Sequence, residues 1–258
     1  IRYLKFEHLT FSTSHPDGRT IYINRGAVYI EVSHCHITNS SDHGTPYGVL
    51  FNQNDYTYIN NCSFDSLAMA IYGNGNWSSH AKGHRIIGNR INNWSTRAIS
   101  LNDQEDVEVS DNDIAKGLVH KQGAGIYLYD VSDGSIERNK VLGGSVGISI
   151  IGANSNSKYA SDSLLVANNF VKTSYGAAAL EIKSSERVNL YHNSIIATDA
   201  GSALSIDKNN EFSMMNNHID AENCYYGMRI NLDSAARIYR LDFNNYAFSR
   251  CTTFAYLR

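Results

Sequence analysis

At 258 residues, with 42% hydrophobic residues and only two prolines, the chain can bury one sizeable core and carries no obvious linker to divide it. A formal charge of −3 and a pI near 6.4 exclude the basic excess of a nucleic-acid surface, and no run approaches the roughly 20 apolar residues of a membrane span. Ile1 opens in a strand-like stretch without a signal peptide and Phe254 to Leu257 reads as a strand just starting; the expectation is a single domain over 1–258, cut from a longer protein with flanking domains of its own.

Taken in chain order, the elements repeat. Leu9, Cys35, Cys62, Asn89, Asn112, Asn139, Asn169, Asn193, Asn217 and Asn244 each stand two residues before an apolar or aromatic residue, at spacings of 26, 27, 27, 23, 27, 30, 24, 24 and 27. Three residues before each anchor lies another apolar position, from Phe6, Val32 and Ile59 through to Met214 and Leu241. Earlier in each unit comes a period-two stretch, as in Ile21–Ile23, Val49–Phe51, Ile99–Leu101, Ile126–Leu128, Leu180–Ile182 and Met228–Ile230, the mark of a strand with one face buried. A glycine or alanine usually precedes it, as at Gly48, Ala98, Gly125 and Ala203, where a tight corner needs a small residue. The unit therefore reads as two short strands plus turns, repeated at about 26 residues. Stacked one coil per repeat, parallel strands lie about 4.8 Å apart, and seven asparagines in phase satisfy one another through their side-chain amides.

This pattern resembles the right-handed parallel β-helix superfamily that includes pectate lyases, over nearly the whole chain. The resemblance is one of scaffold: an all-β solenoid of about ten coils with an asparagine ladder. It implies extracellular or cell-surface work on carbohydrate, with a polysaccharide or surface glycan as partner, while the fold alone does not fix the chemistry.

Cys35 and Cys62 hold the ladder position of adjacent coils, and Cys224 and Cys251 are equivalent one coil apart. Stacked Cα atoms fall within disulfide range, so two readings stay open: two disulfides, or stacked thiols acting as small hydrophobes. No Cys/His spacing suits structural zinc.

In such a stack, function belongs to outward strand positions and long loops. Two loops stand out, Gly73 to Gly83 with Trp77, His80 and Lys82, and Gly152 to Ser163 with Lys158 and Tyr159. Three coils apart, roughly 14 Å, they are expected to wall a groove floored by Asn102, Tyr127 and Tyr129, in which aromatic faces stack on sugars and polar groups bond hydroxyls. Farther along the same face come Glu181, Lys183, Asp207 and Arg229. Elimination at a uronate needs a base and a neutralising cation; Lys183 and Arg229 are the candidates for these roles, and Glu181 the candidate for substrate contact. Hydrolysis needs two carboxylates instead, and Asp103 with Asp130 is the best pair. The acidic run from Asp103 to Asp113 lacks an EF-hand pattern and reads as a solvated face, so calcium is left open and no cofactor or metal ligand set is fixed. His80 and His84 flank a loop, but sequence shows no third ligand beside them. The paired-aspartate and Gly-His-Gly segments of polygalacturonase-like hydrolases are absent, as is the Asp-Pro-His-Glu run of alginate epimerases. Two functions follow: a protein that binds, and by elimination more readily than hydrolysis cleaves, an acidic polysaccharide; or a non-catalytic stalk or adhesin segment of a bacterial surface protein.

Overall fold

A computed structural model describes residues 1–40, 44–116, 123–155 and 163–258. Among these there is no helix, and every strand pairing is parallel. The chain winds as a β-solenoid with three strands per turn, such as Tyr47–Asn52, Asp55–Asn60 and Ser63–Asp65. In four turns the first two strands run on as one bent element: Arg97–Ser110, Ala124–Glu137, Ala200–Met215 and Tyr226–Asp242. The third strands form a separate ten-stranded sheet, which makes about nine full turns between its first and last members. The expected unit of two strands thus gains a third. It is only three to five residues long and buries chiefly one apolar side chain per turn through the middle coils, too little to show a period of its own.

The buried rows are continuous. Val32, Ile59, Ile86, Val109, Ile136, Val166, Leu190 and Met214 lie in register, one above the next, and all are fully buried. Ile37, Phe64, Ile91, Ile114, Val141, Val171, Ile195 and Ile219 do the same in the third strand. At about 1.5–3 kcal/mol for each large side chain removed from water, these rows drive the coil to close on itself.

The turn between second and third strands carries the amides. Asn112 donates its backbone N–H and its Nδ2 to Asn139 Oδ1, at 3.1 and 2.9 Å, and its Nδ2 also reaches Ile86 O at 2.9 Å. The pattern repeats from Asn89 to Asn244. Cys62 extends it, donating its backbone N–H to Asn89 Oδ1 at 2.9 Å, and Cys35 N–H meets Cys62 Sγ at 3.4 Å. All four cysteines are free. The thiols of Cys35 and Cys62 point at carbonyls of their own turns, 3.3 Å from Ser33 O and Asn60 O, and burial pushes the Cys62 thiol up to about 12.

A second buried polar column occupies the corner between first and second strands, where sequence gave no regular signal. Asn154 Oδ1 accepts from Asp133 N–H at 2.9 Å, Ser185 Oγ from Ala153 N–H at 3.1 Å, and Asn209 Oδ1 from Ser185 N–H at 2.7 Å. Its members change between amide and hydroxyl from coil to coil.

Candidate functional site

The outward face of the first strands presents one register row: Tyr22, Leu50, Tyr72, Ser100, Tyr127, Ser149, Glu181, Ser205, Arg229 and Tyr256. Two residues on runs a second row, Asn52, Asn74, Asn102, Tyr129, Ile151, Lys183, Asp207 and Asn231. The expected floor residues Asn102, Tyr127 and Tyr129 therefore share a face. The Arg97 guanidinium lies 3.6 Å from the Tyr127 ring centroid and covers one of its faces. Asn102 Nδ2 donates to Tyr72 Oη at 3.3 Å, and Tyr129 stands exposed. Lys158 and Tyr159 lie outside the described residues.

Along this face a concavity of about 340 Å³ opens farther on, lined by Ala177, Glu181, Lys183, Gly201, Ser202, Ser205, Tyr225, Tyr226 and Arg229. Its origin is a run of small residues: Ser202 sits between Ala178 and Tyr226, and Ser205 between Glu181 and Arg229. Glu181 and Arg229 are thus two rungs apart, roughly 10 Å, with only a serine between them. Glu181 is nearly buried; its Oε2 accepts from Ser149 Oγ at 3.2 Å and its Oε1 lies 2.6 Å from Lys183 Nζ. The candidate base is thus held against a carboxylate. Among the described residues, no carboxylate lies within ion-pair range of Arg229. Three of the sequence candidates, Glu181, Lys183 and Arg229, meet here.

A second constellation joins the other candidates. His80, Asp103 and Asp130 each offer a ligand atom within 4.8 Å of the other two. The two aspartates occupy left-handed positions (φ 53° and 49°) at the corner between first and second strands of successive turns, a conformation aspartate tolerates. The loop after Asn74 then lays His80 across them. Gly75 N–H donates to Asn102 O at 2.8 Å, and a Cβ on Gly75 would fall 1.8 Å from Asp103 O, so only glycine lets the loop lie this flat. A tight turn follows, with Asn76 Oδ1 accepting from Ser78 N–H at 3.1 Å. The His80 side chain ends fully enclosed, Nε2 3.5 Å from Asp130 Oδ2. Burial first, and the charge of Asp130 second, push the Asp103 carboxyl above the usual carboxylate range, with His80 opposing. The loop's other candidates point elsewhere: Trp77 is 78% exposed, and Lys82 has an exposed side chain while its backbone N–H meets Asp55 Oδ1 at 3.0 Å. His84 is not part of the cluster. It is buried in the core with Nδ1 accepting from Thr57 N–H at 3.1 Å, and burial lowers its imidazole to about 3.

A third group, Glu7, His8 and His34, is wholly exposed at the first turns, its imidazoles stacked with centroids 5.0 Å apart. The remainder of the acidic run behaves as a solvated face: Arg85 pairs with Asp106 and Glu108 at 3.3 Å, and Arg138 with Asp111 at 2.9 Å.

The family model described as periplasmic copper-binding protein (NosD) matches residues 10–160. No curated protein sequence matches the chain significantly. Among solved structures, the chain is similar to a GH136 lacto-N-biosidase from Eubacterium ramulus (TM-score 0.53, 11% identity, 90% of this chain and 46% of that one). It is also similar to the catalytic domain of a GH87 alpha-1,3-glucanase in complex with nigerose (0.50, 11%, 95% and 54%). A third is the surface protein and adhesin PfbA of Streptococcus pneumoniae (0.50, 13%, 100% and 67%). The chain spans about half the length of the two glycosidases, and likeness at this identity is a likeness of fold.

Proposed function

The chain belongs to the family described as periplasmic copper-binding protein (NosD), and from that premise we propose that it is an envelope or extracellular β-helix that binds an acidic glycan on the outward face of its first strands. The observation that carries this reading is the concavity over Ser202 and Ser205, with Arg229 at one end, the Glu181–Lys183 pair at the other and Tyr225 and Tyr226 beside it. A uronate carboxylate suits Arg229, whose planar fork binds carboxylates in two-point fashion. Glu181 and the serines suit sugar hydroxyls, and the tyrosine rings offer flat apolar faces. Cleavage by elimination is the finer form of the same reading, with Arg229 as neutraliser; Lys183 would serve as base only after parting from Glu181. Asp103 and Asp130 are the carboxylate pair a hydrolase would use instead, each with an oxygen within 4.8 Å of the other.

The family's metal bears on the donor set. Cuprous copper favours thiolate and thioether ligands, whereas Cys35 and Cys62 are buried thiols directed at carbonyls. Cupric copper accepts imidazole and carboxylate, and both His–carboxylate groups supply these.

Calorimetric titration with uronate-bearing and neutral oligosaccharides tests the glycan reading. Binding of the acidic series alone is expected, weakened about tenfold or more by Arg229→Ala, and unchanged by Tyr22→Ala at the far end of the same row. Tyr127→Ala, between the two long loops, should weaken it more than Tyr22→Ala does. Ultraviolet detection of an unsaturated product reports elimination. Absence of binding to any glycan would leave the rigid-rod reading, which the unbroken amide stack also suits.

A further inference from the structure

We infer that His80, Asp103 and Asp130 form a binding site for one divalent transition-metal ion, independent of glycan binding. Three donors arrive from three separate places in the chain, the loop after the first strand of one turn and the corners of the next two turns, and converge within 4.8 Å. The imidazole is fully enclosed and Asp130 is 22% exposed, so the ligands are fixed by packing rather than gathered from solvent. The His80 Nε2 to Asp130 Oδ2 distance of 3.5 Å is too long for a charge-assisted hydrogen bond, which lies near 2.7–2.9 Å. It matches the edge between two ligands that each stand about 2.0–2.2 Å from one ion, roughly 2.9–3.6 Å. Two carboxylates in a water-poor corner repel each other, and a divalent ion between them neutralises both.

A turn preference for aspartate accounts for the backbone at 103 and 130, since Gln53, Gly152, Ser184 and Lys208 take the same left-handed corner. It does not account for the convergence of both carboxylates with a buried histidine from a loop laid flat by Gly75. One imidazole with two carboxylates suits a borderline cation such as Cu²⁺, Zn²⁺ or Mn²⁺, with Cu²⁺ bound most tightly by the usual order of divalent affinities. The three residues also lie inside the matched stretch 10–160, whereas Glu7 and His8 lie outside it.

The test is titration of the metal-stripped full chain with Cu²⁺ by calorimetry and electron paramagnetic resonance, with Zn²⁺, Mn²⁺ and Ca²⁺ as competitors. A His8→Gln/His34→Gln background removes the exposed group. One Cu²⁺ per chain should remain in that background, with the spectral coupling of a single nitrogen ligand. Asp103→Asn/Asp130→Asn should weaken it by at least about tenfold, since even the loss of an outer partner of a metal ligand costs 10- to 100-fold; His80→Gln should remove the nitrogen coupling. Asparagine keeps the shape and tolerates the left-handed corner, so the aspartate variants carry the test if His80→Gln misfolds. No tight Cu²⁺ in the background protein, or affinity unchanged in the double asparagine variant, overturns the site. Glycan affinity measured on the same proteins separates the two readings, because loss of one leaves the other standing.

Discussion

Asn139→Ala removes one amide from the middle of the stack. Asn139 Nδ2 donates to Val109 O at 2.8 Å and to Asn169 Oδ1 at 3.0 Å; its Oδ1 accepts the Asn112 N–H at 3.1 Å and Asn112 Nδ2 at 2.9 Å. Two of these partners keep another bond, since Asn112 Nδ2 still reaches Ile86 O and Asn169 Oδ1 still accepts from Asn139 N–H. The Val109 carbonyl likewise stays in the parallel ladder with the next coil, but the Asn112 N–H loses its amide partner in a corner where Asn112 is 1% exposed. Stranding one buried polar group costs about 1–3 kcal/mol, before any cavity is counted. Asn244→Ala removes a half-exposed member at the other end of the series, where water can replace the amide, and should cost about 1 kcal/mol. Urea unfolding followed by circular dichroism gives both values from the midpoints and slopes. Equal losses for the two variants, or less than about 1 kcal/mol for Asn139→Ala, would refute the claim that the amides satisfy one another coil upon coil.

Two further measurements probe the buried groups. Burial lowers the His84 imidazole to about 3 in the folded chain, below its ordinary value of 6.5, so below pH 6.5 the unfolded chain takes up a proton that the native chain refuses. Stability is therefore full above pH 6.5 and falls toward pH 3 at about 1.4 kcal/mol per unit from this residue; His84→Gln should flatten the pH dependence of the urea unfolding free energy by that slope, and an unchanged slope refutes it. Cys35 and Cys62, buried and with Cys62 held as a thiol by burial, should resist thiol reagents in the native chain and react only on unfolding. Rapid native modification of either would show that the ladder is open at its cysteine end.

The scaffold was legible because it is periodic. Each asparagine from Asn89 to Asn244 faces the same demand, an unpaired backbone N–H in the preceding coil, and meets it with the same side chain, so the demand leaves a mark at every turn. The corner between first and second strands faces a similar demand, yet Asn154, Ser185 and Asn209 meet it with different groups, and no column of one residue type results. The third strand leaves no such mark for another reason: three residues such as Ser63–Asp65 cannot display a period of two.

The functional candidates divide along the same line. Glu181, Lys183 and Arg229 sit at fixed phase within the repeat, so register alone carried them to one face, and their meeting in a concavity depends only on the small side chains of Ser202 and Ser205. Asp103 and Asp130 were likewise paired by phase. His80 was singled out on its loop, but its partners lie 23 and 50 residues farther along the chain, and nothing in the repeat fixes where an inserted loop comes to rest. What fixes it is local: Gly75 permits an approach that any Cβ would block at 1.8 Å, and the Asn76 turn sends the chain back over the corner. A glycine at such a close approach carries no chemistry of its own, yet it decides whether an imidazole meets two carboxylates or faces solvent as Trp77 does. In a solenoid the repeat sets the spacing of groups along the face, and the departures from the repeat bring distant groups together. Among the described residues, the more buried of the two His–carboxylate groups arises from such a departure.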